Sequence, residues 1–269
     1  VNIAVLNENL GTTSEENGTF NIHISEKSKM LVFSALGYEK KNVSISQSIE
    51  VKLKPTAYQL DEVVISKRFE TRKIEIGEVK NTAYEAFDNG PKIDTKFFPY
   101  SPAYKKTRYI KQVVISTDSK LDDATFKIHF YSVDANGFPG DELLEKDFIV
   151  SVSKGVKKTI FNVVKFNLRM PKNGIFVGFE KLLIEKNKIE KTTVDENSGK
   201  VHTQRTYYPF VLYNAIERGY LFAFSGGKWN KEIKPKSDDP DVATKVYEPA
   251  INLILTNRSE ERRVGKECL

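Results

Sequence analysis

Cysteine is almost absent from this chain. The single one, Cys268, lies next to the C-terminus, so no disulfide can close within the chain and no cysteine-based metal site can assemble. Histidine is nearly as scarce. His23, His129 and His202 are the only three, each in a strand-like stretch without a metal-ligand partner at i+2 or i+4, and they read as half-exposed strand side chains. No apolar run approaches the ~20 residues that a membrane-crossing helix needs. No basic stretch followed by an apolar core opens the sequence at Val1, as a secretory leader would. Phosphate-binding loops, dinucleotide fingerprints, zinc-protease signatures and Gly-x-Ser-x-Gly elbows are all missing, which removes the enzyme classes that depend on them.

What the chain does hold is material for sheets. Hydrophobic residues make up 39% of it, enough to build cores and too many for a disordered chain. Phe and Tyr far outnumber the lone Trp229 and accompany many Val, Ile and Thr, a mixture that favours strands. The formal charge is +6, but residues 1–65 carry six Lys/Arg against eight Asp/Glu, so the basic excess lies further on. There the lysines alternate with apolar residues, as on a solvated sheet face. Without a clustered basic patch, nucleic acid is not expected as a partner.

Short strands separated by turns fill residues 1–65: Val1–Leu6, Thr19–Ile24 behind the Asn17-Gly18 turn, Lys29–Leu36, Val43–Ile45 and Ile49–Leu53. Residues 66–82 crowd eight charges among few large apolar side chains and read as a linker. A second strand-rich region spans 83–257. Its expected strands are Arg108–Ser116, Thr125–Val133, Phe148–Ser153, Thr159–Leu168, Gly174–Ile184, Lys191–Val194 with Val201–Thr206, Pro209–Ala215, Tyr220–Ser225 and Ala250–Thr256. Phe126, Ile128 and Phe130 share one face and Lys127, His129 and Tyr131 the other. Gly174–Ile184 is either buried on both faces or bulged near Gly178. Strands this frequent, with turns at Asn136-Gly137 and Asn173-Gly174 and no helices between, predict an all-β chain of two sandwiches, the larger an antiparallel jelly roll. Residues 258–269 follow no strand pattern and read as a non-native or disordered tail.

Several stretches, in order, resemble the carboxypeptidase-D regulatory-like family of transthyretin-like β-sandwich modules: Val1–Val5, Gly11–Phe20, Leu31–Glu39 and Val51–Leu53. Leu60–Ile65 resembles the segment that closes such modules ahead of the plug of TonB-dependent outer-membrane receptors. The resemblance implies a non-catalytic module of the cell envelope, placed in the periplasm, at the outer-membrane surface or outside the cell. Members open with one further strand, so an N-terminus lacking that strand and any leader is expected. No receptor barrel is expected in the remaining chain, whose strands lack an aromatic-girdled, lipid-facing pattern. The second region resembles, more loosely, jelly-roll surface modules.

The residue chemistry leaves three functional readings. The first is a non-catalytic recognition or scaffolding protein whose partner is a glycan or another envelope protein. The second is a glycan-binding jelly roll, with Trp229, Tyr207, Tyr208, Phe98 and Tyr100 as aromatic platforms; the alternative for these rings is that they close the ends of the sandwich. The third is a glycan- or peptidoglycan-cleaving enzyme using two of Glu180, Glu185, Glu217, Asp134 and Asp141. No cofactor is expected. Asp134 with Asn136, and Asp195 with Asn197, have the look of partial calcium loops, yet both pairs sit where a hairpin turn is needed in any case.

Overall fold

The computed structural model describes residues 1–25, 28–46, 50–56, 72–78, 84–87, 90–194, 200–231 and 246–257. The chain is all-β, with three short 3₁₀ turns as its only helical elements among these residues. The first four strands are β1 (Asn2–Val5), β2 (Gly11–Thr13), β3 (Met30–Ser34) and β4 (Lys41–Ser44). They form one antiparallel sheet in the order β2-β1-β3-β4. Alternation sends Ile3, Val5, Leu31 and Phe33 to a small core with Phe20 and Ile22, under an open groove of about 670 Å³. Asn2, Ala4, Val32 and Ser34 face the opposite way.

The next strands are β5 (Lys73–Ile76), β6 (Tyr84–Ala86), β7 (Ile93–Phe98), β8 (Tyr109–Ser119), β9 (Ala124–Val133), β10 (Pro139–Glu142), β11 (Phe148–Val152) and β12 (Gly155–Asn162). After them come β13 (Ile175–Lys181), β14 (Lys188–Val194), β15 (Val201–Tyr207), β16 (Phe210–Ile216), β17 (Leu221–Ser225), β18 (Lys228–Lys231), β19 (Val246–Pro249) and β20 (Ile251–Thr256). Two seven-stranded sheets result. One runs β10-β9-β13-β7-β17-β18, with β11 also on β9; the other runs β19-β16-β8-β20-β5, with β12 on β8 and β6 on β16. Between them lies the main core: Phe126, Ile128 and Phe130 of β9, Ile175, Val177 and Phe179 of β13, Ile110, Val113 and Ile115 of β8, and Ile251, Leu253 and Leu255 of β20. This is sheet-on-sheet packing through alternate side chains. β14 and β15 form a separate ribbon, exposed along most of its length.

The expected strands of the second region are present, with shifted ends. Thr159–Leu168 is the largest departure: the strand stops at Asn162 and a 3₁₀ turn follows over Val164–Phe166. Gly174–Ile184 resolves to β13, buried along its whole length and in unbroken register with both neighbours, so Gly178 carries no bulge. Four corrections stand out. Thr19–Ile24 forms no strand, and neither do the described residues of Ile49–Leu53. Lys73–Ile76, read as linker, is an edge strand on β20, because Ile74 and Ile76 alternate inward between charged neighbours. Ile93–Phe98, absent from the expected strands, is a central strand. The remaining part of the expected linker that lies at 66–71 and 79–82, the Leu60–Ile65 segment and the tail 258–269 fall outside the described residues.

Phe126 is fully buried in the main core. Phe126→Ala is expected to cost about 3–5 kcal/mol in urea unfolding, from lost transfer energy plus the cavity left behind. Ile160, 56% exposed on the edge strand β12, is the contrasting position, and Ile160→Ala should stay within about 0.5 kcal/mol. Equal costs at the two positions would contradict the assignment of the core.

Candidate functional site

On β9, alternation puts Lys127, His129 and Tyr131 on the face away from the main core, where a sequence reading expects water. The N-terminal sheet covers that face instead. Several contacts hold it there. The Asn7 N–H donates to Gly226 O at 3.1 Å, the Leu183 N–H to Thr13 Oγ1 at 3.3 Å, and the Glu185 N–H to Glu15 Oε1 at 3.1 Å. The Lys40 ammonium sits 4.8 Å from the Phe224 ring centroid.

His129 is consequently buried, a correction to its reading as a half-exposed side chain. Its neighbour across β13 is Gly178, where a Cβ would come within 3.3 Å of His129 Cβ and 3.0 Å of Thr95 Cγ2, so the missing side chain makes the room. Nδ1 of His129 lies 2.8 Å from Glu142 Oε2, and Nε2 lies 2.7 Å from Glu180 Oε2. Glu142 is aimed by the register shift between Pro139 and Glu142 on β10; its other oxygen accepts the Phe130 N–H at 2.8 Å. Glu180 also accepts from Asn2 Nδ2 of the N-terminal sheet at 2.8 Å. Lys127 stands 3.3 Å from Asp147 and 4.0 Å from Glu180. The Tyr131 ring stacks on the imidazole at 5.5 Å.

The electrostatics follow. Burial alone would lower the His129 pKa, but Glu142 and Glu180 outweigh it and raise the value to about 9. Burial would raise Glu180, yet Lys127, His129 and Asn2 hold it far below the usual carboxylate range. Lys127 ends above its ordinary value because Glu180 and Asp147 overcome its desolvation. At neutral pH the imidazolium therefore donates from both nitrogens. Neither is available as a base, so the cluster binds structure together instead of moving protons.

Over it opens a cleft of about 260 Å³, bounded by Tyr38 and Lys40 of the loop between β3 and β4 and by Tyr131, Asp141, Phe224 and Trp229 of the sandwich. Trp229 is half-buried, edge-on to Tyr131 at 5.1 Å and to Phe224 at 5.2 Å.

The other expected platform rings are not gathered here. Phe98 and Tyr208 are buried in the main core, so neither offers a face to a ligand. Tyr100 packs edge-on to Tyr104, and Tyr207 is half-buried at the root of the β14–β15 ribbon. Among the considered carboxylates, Glu180 is engaged by His129 and Lys127, Glu185 pairs with Lys188 at 2.7 Å, Glu217 is exposed, and Asp141 is exposed at the cleft. Asp134 closes a turn, accepting the N–H groups of Asn136 and Phe138 at 2.8 Å each. Asp195 and Asn197 lie outside the described residues. Among the described residues no group of three or more His, Cys, Asp or Glu is placed to hold a metal ion.

A second buried network was not foreseen. Lys96 of β7 pairs with Glu248 of β19 at 2.8 Å, both side chains fully buried, and donates to Gly77 O at 2.6 Å. Arg218 holds Glu248 with two donors at 2.9 and 3.2 Å. The Tyr213 hydroxyl donates to Asp94, which Lys92 approaches at 3.3 Å. Burial pulls the Lys96 pKa down, against the pull of Glu248. The sequence signal was faint: Asp94 and Lys96 alternate with Ile93, Thr95 and Phe97, which looks like an ordinary wet face.

Residues 1–65 match the family model of the CarboxypepD_reg-like domain. That is about a quarter of the chain, and it contains the whole four-stranded N-terminal sheet. The CarboxypepD_reg-like domain is a non-catalytic β-sandwich. No curated protein and no solved structure matches the chain.

Two measurements follow from these clusters. The raised His129 pKa contributes stability that is fully present below about pH 6.5 and lost as pH rises through about 9, on the order of 3 kcal/mol in all. The stability gap between the wild-type chain and His129→Gln should therefore shrink across that window; a gap independent of pH would refute the paired imidazolium. Glu248→Ala should cost about 3–5 kcal/mol, because it strands the Lys96 ammonium in the interior, whereas the double replacement Lys96→Met with Glu248→Leu should be far milder. Thermal unfolding of both variants reads this directly.

Proposed function

We propose that this chain is a non-catalytic binding or scaffolding protein of the cell envelope, in which the CarboxypepD_reg-like domain is clamped as an extension onto a larger β-sandwich. The observation that carries the reading is the commitment of the seam's ionisable groups to one another: both nitrogens of His129 meet carboxylates, and Lys127 meets Asp147 and Glu180. A catalytic centre needs a group left free to meet a substrate. Here the charges are spent on one another within the sandwich, and Asn2 of the N-terminal sheet donates to Glu180 at 2.8 Å across the seam, which suits presentation of a surface. The envelope setting, in periplasm, on the outer membrane or outside the cell, rests on the resemblance of residues 1–65 to modules found there. No helix among the described residues is long and apolar enough to cross a membrane.

Binding and turnover separate in one experiment. The full chain is incubated with isolated peptidoglycan sacculi and with outer-membrane vesicles, then sedimented. Saturable co-sedimentation with at least one fraction, without release of reducing sugar or peptide, is the expected result. Release of either product would overturn the non-catalytic reading, and absence of saturable binding to both fractions would remove the envelope partner.

A further inference from the structure

We propose that the cleft between the CarboxypepD_reg-like domain and the sandwich is a binding site for a neutral saccharide of one or two rings. The inference rests on the binding reading above and names the ligand class. Three features of the cleft carry it.

The first is its position. Small-ligand sites favour the junctions of packed units, where concavity forms without disturbing either core. Tyr38 and Lys40 come from one unit, and Tyr131, Asp141, Phe224 and Trp229 from the other, so the site is complete only when the two are docked. Its volume of about 260 Å³ lies just under the range of drug-sized pockets and suits a small ring system.

The second is the lining. Tyr38 is 45% exposed and Trp229 half-exposed, so both rings reach the open part of the cleft, with Tyr131 and Phe224 packed behind Trp229. The same lining holds polar groups, the exposed carboxylate of Asp141 and the Lys40 ammonium, the latter 4.8 Å from the Phe224 ring centroid. A sugar ring presents an apolar C–H face and a hydroxyl edge, and this lining offers a counterpart to each.

The third is charge. Three cations, Lys40, Lys127 and His129, face four carboxylates, Asp141, Glu142, Asp147 and Glu180. Those deep in the cleft are taken up by each other at 2.7–4.0 Å. A charged ligand in the deep part would have to break one of these pairs to find an opposite charge, and the two charges outside the pairs, Lys40 and Asp141, are exposed positions where water screens them. A neutral polyol takes hydrogen bonds from paired ions without that cost.

Trp229 is the only tryptophan in the chain, so its emission reports on the cleft without added label. The full chain is titrated with N-acetylglucosamine, its β-1,4-linked dimer, glucose and cellobiose, and with glucosamine and glucuronate as charged comparisons. A saturable change with at least one neutral sugar is expected, weakened about tenfold or more for both charged comparisons. Tyr38→Ala and Asp141→Ala, at exposed positions that leave the circular dichroism spectrum unchanged, should each weaken the neutral sugar by about tenfold. Flat titrations to about 10 mM, charged sugars binding as well as neutral ones, or full affinity in both variants would each overturn the proposal. Saturable envelope binding that persists while Trp229 stays silent removes the saccharide site alone; loss of both removes the binding reading with it.

Discussion

An imidazolium can remain in a protein interior only if its charge is answered on the spot. At His129 the network draws on four strands of two different sheets. β9 supplies the ring, β10 and β13 supply a carboxylate for each nitrogen, and Asn2 of β1 completes the shell of Glu180. Remove the N-terminal sheet and Lys127, His129, Tyr131 and Glu180 become a wet face with little reason to be so tightly ordered. Polar contacts cross the seam at Asn2, Thr13 and Glu15. A shifted pose would take Asn2 from Glu180 and strip the cover from the buried pairs. This is how a small four-stranded sheet with a modest core of its own can hold a definite place on a much larger sandwich.

Much of the architecture could be read from alternation alone. Phe126, Ile128 and Phe130 point to the main core as their spacing requires, and the glycine-bearing turns fall between strands. The pattern became silent where a strand is covered on both sides. Lys127 and His129 have the polarity of exposed residues, and no local rule says that a second sheet will cover them. The same blindness hid β7. Its Asp94 and Lys96 look like the solvent side of a strand, while in fact Glu248, Tyr213 and Gly77, all remote in sequence, provide their partners. Buried ionic residues are legible only in pairs, and a pair separated by some 150 positions leaves no trace in either neighbourhood. β5 was missed for a different reason: four residues with two inward isoleucines are too few to stand out among surrounding charges.

The aromatic residues illustrate the limits of residue chemistry without geometry. Trp229, Tyr208, Tyr207, Phe98 and Tyr100 are equivalent candidates when only their types and positions near strand ends are known. Packing divides them. Phe98 and Tyr208 serve the interior, Tyr100 and Tyr207 stay at margins, and Trp229 alone stands where two units meet. Its neighbours from the other unit, Tyr38 and Lys40, lie close to 190 positions away in the chain.

The β14–β15 ribbon takes little part in this, meeting the N-terminal unit where Arg205 Nη1 lies 3.2 Å from His23 Nε2. Nearly all of its side chains meet water on both sides, and it is anchored at its root, where Asn187 ties Thr125 and Leu182 to the base of β14. A two-stranded arm with no interior to protect places almost no restriction on which amino acids it carries. Its length and composition are therefore free to drift, or to be engineered as a handle, while the layers beneath keep their own arrangement.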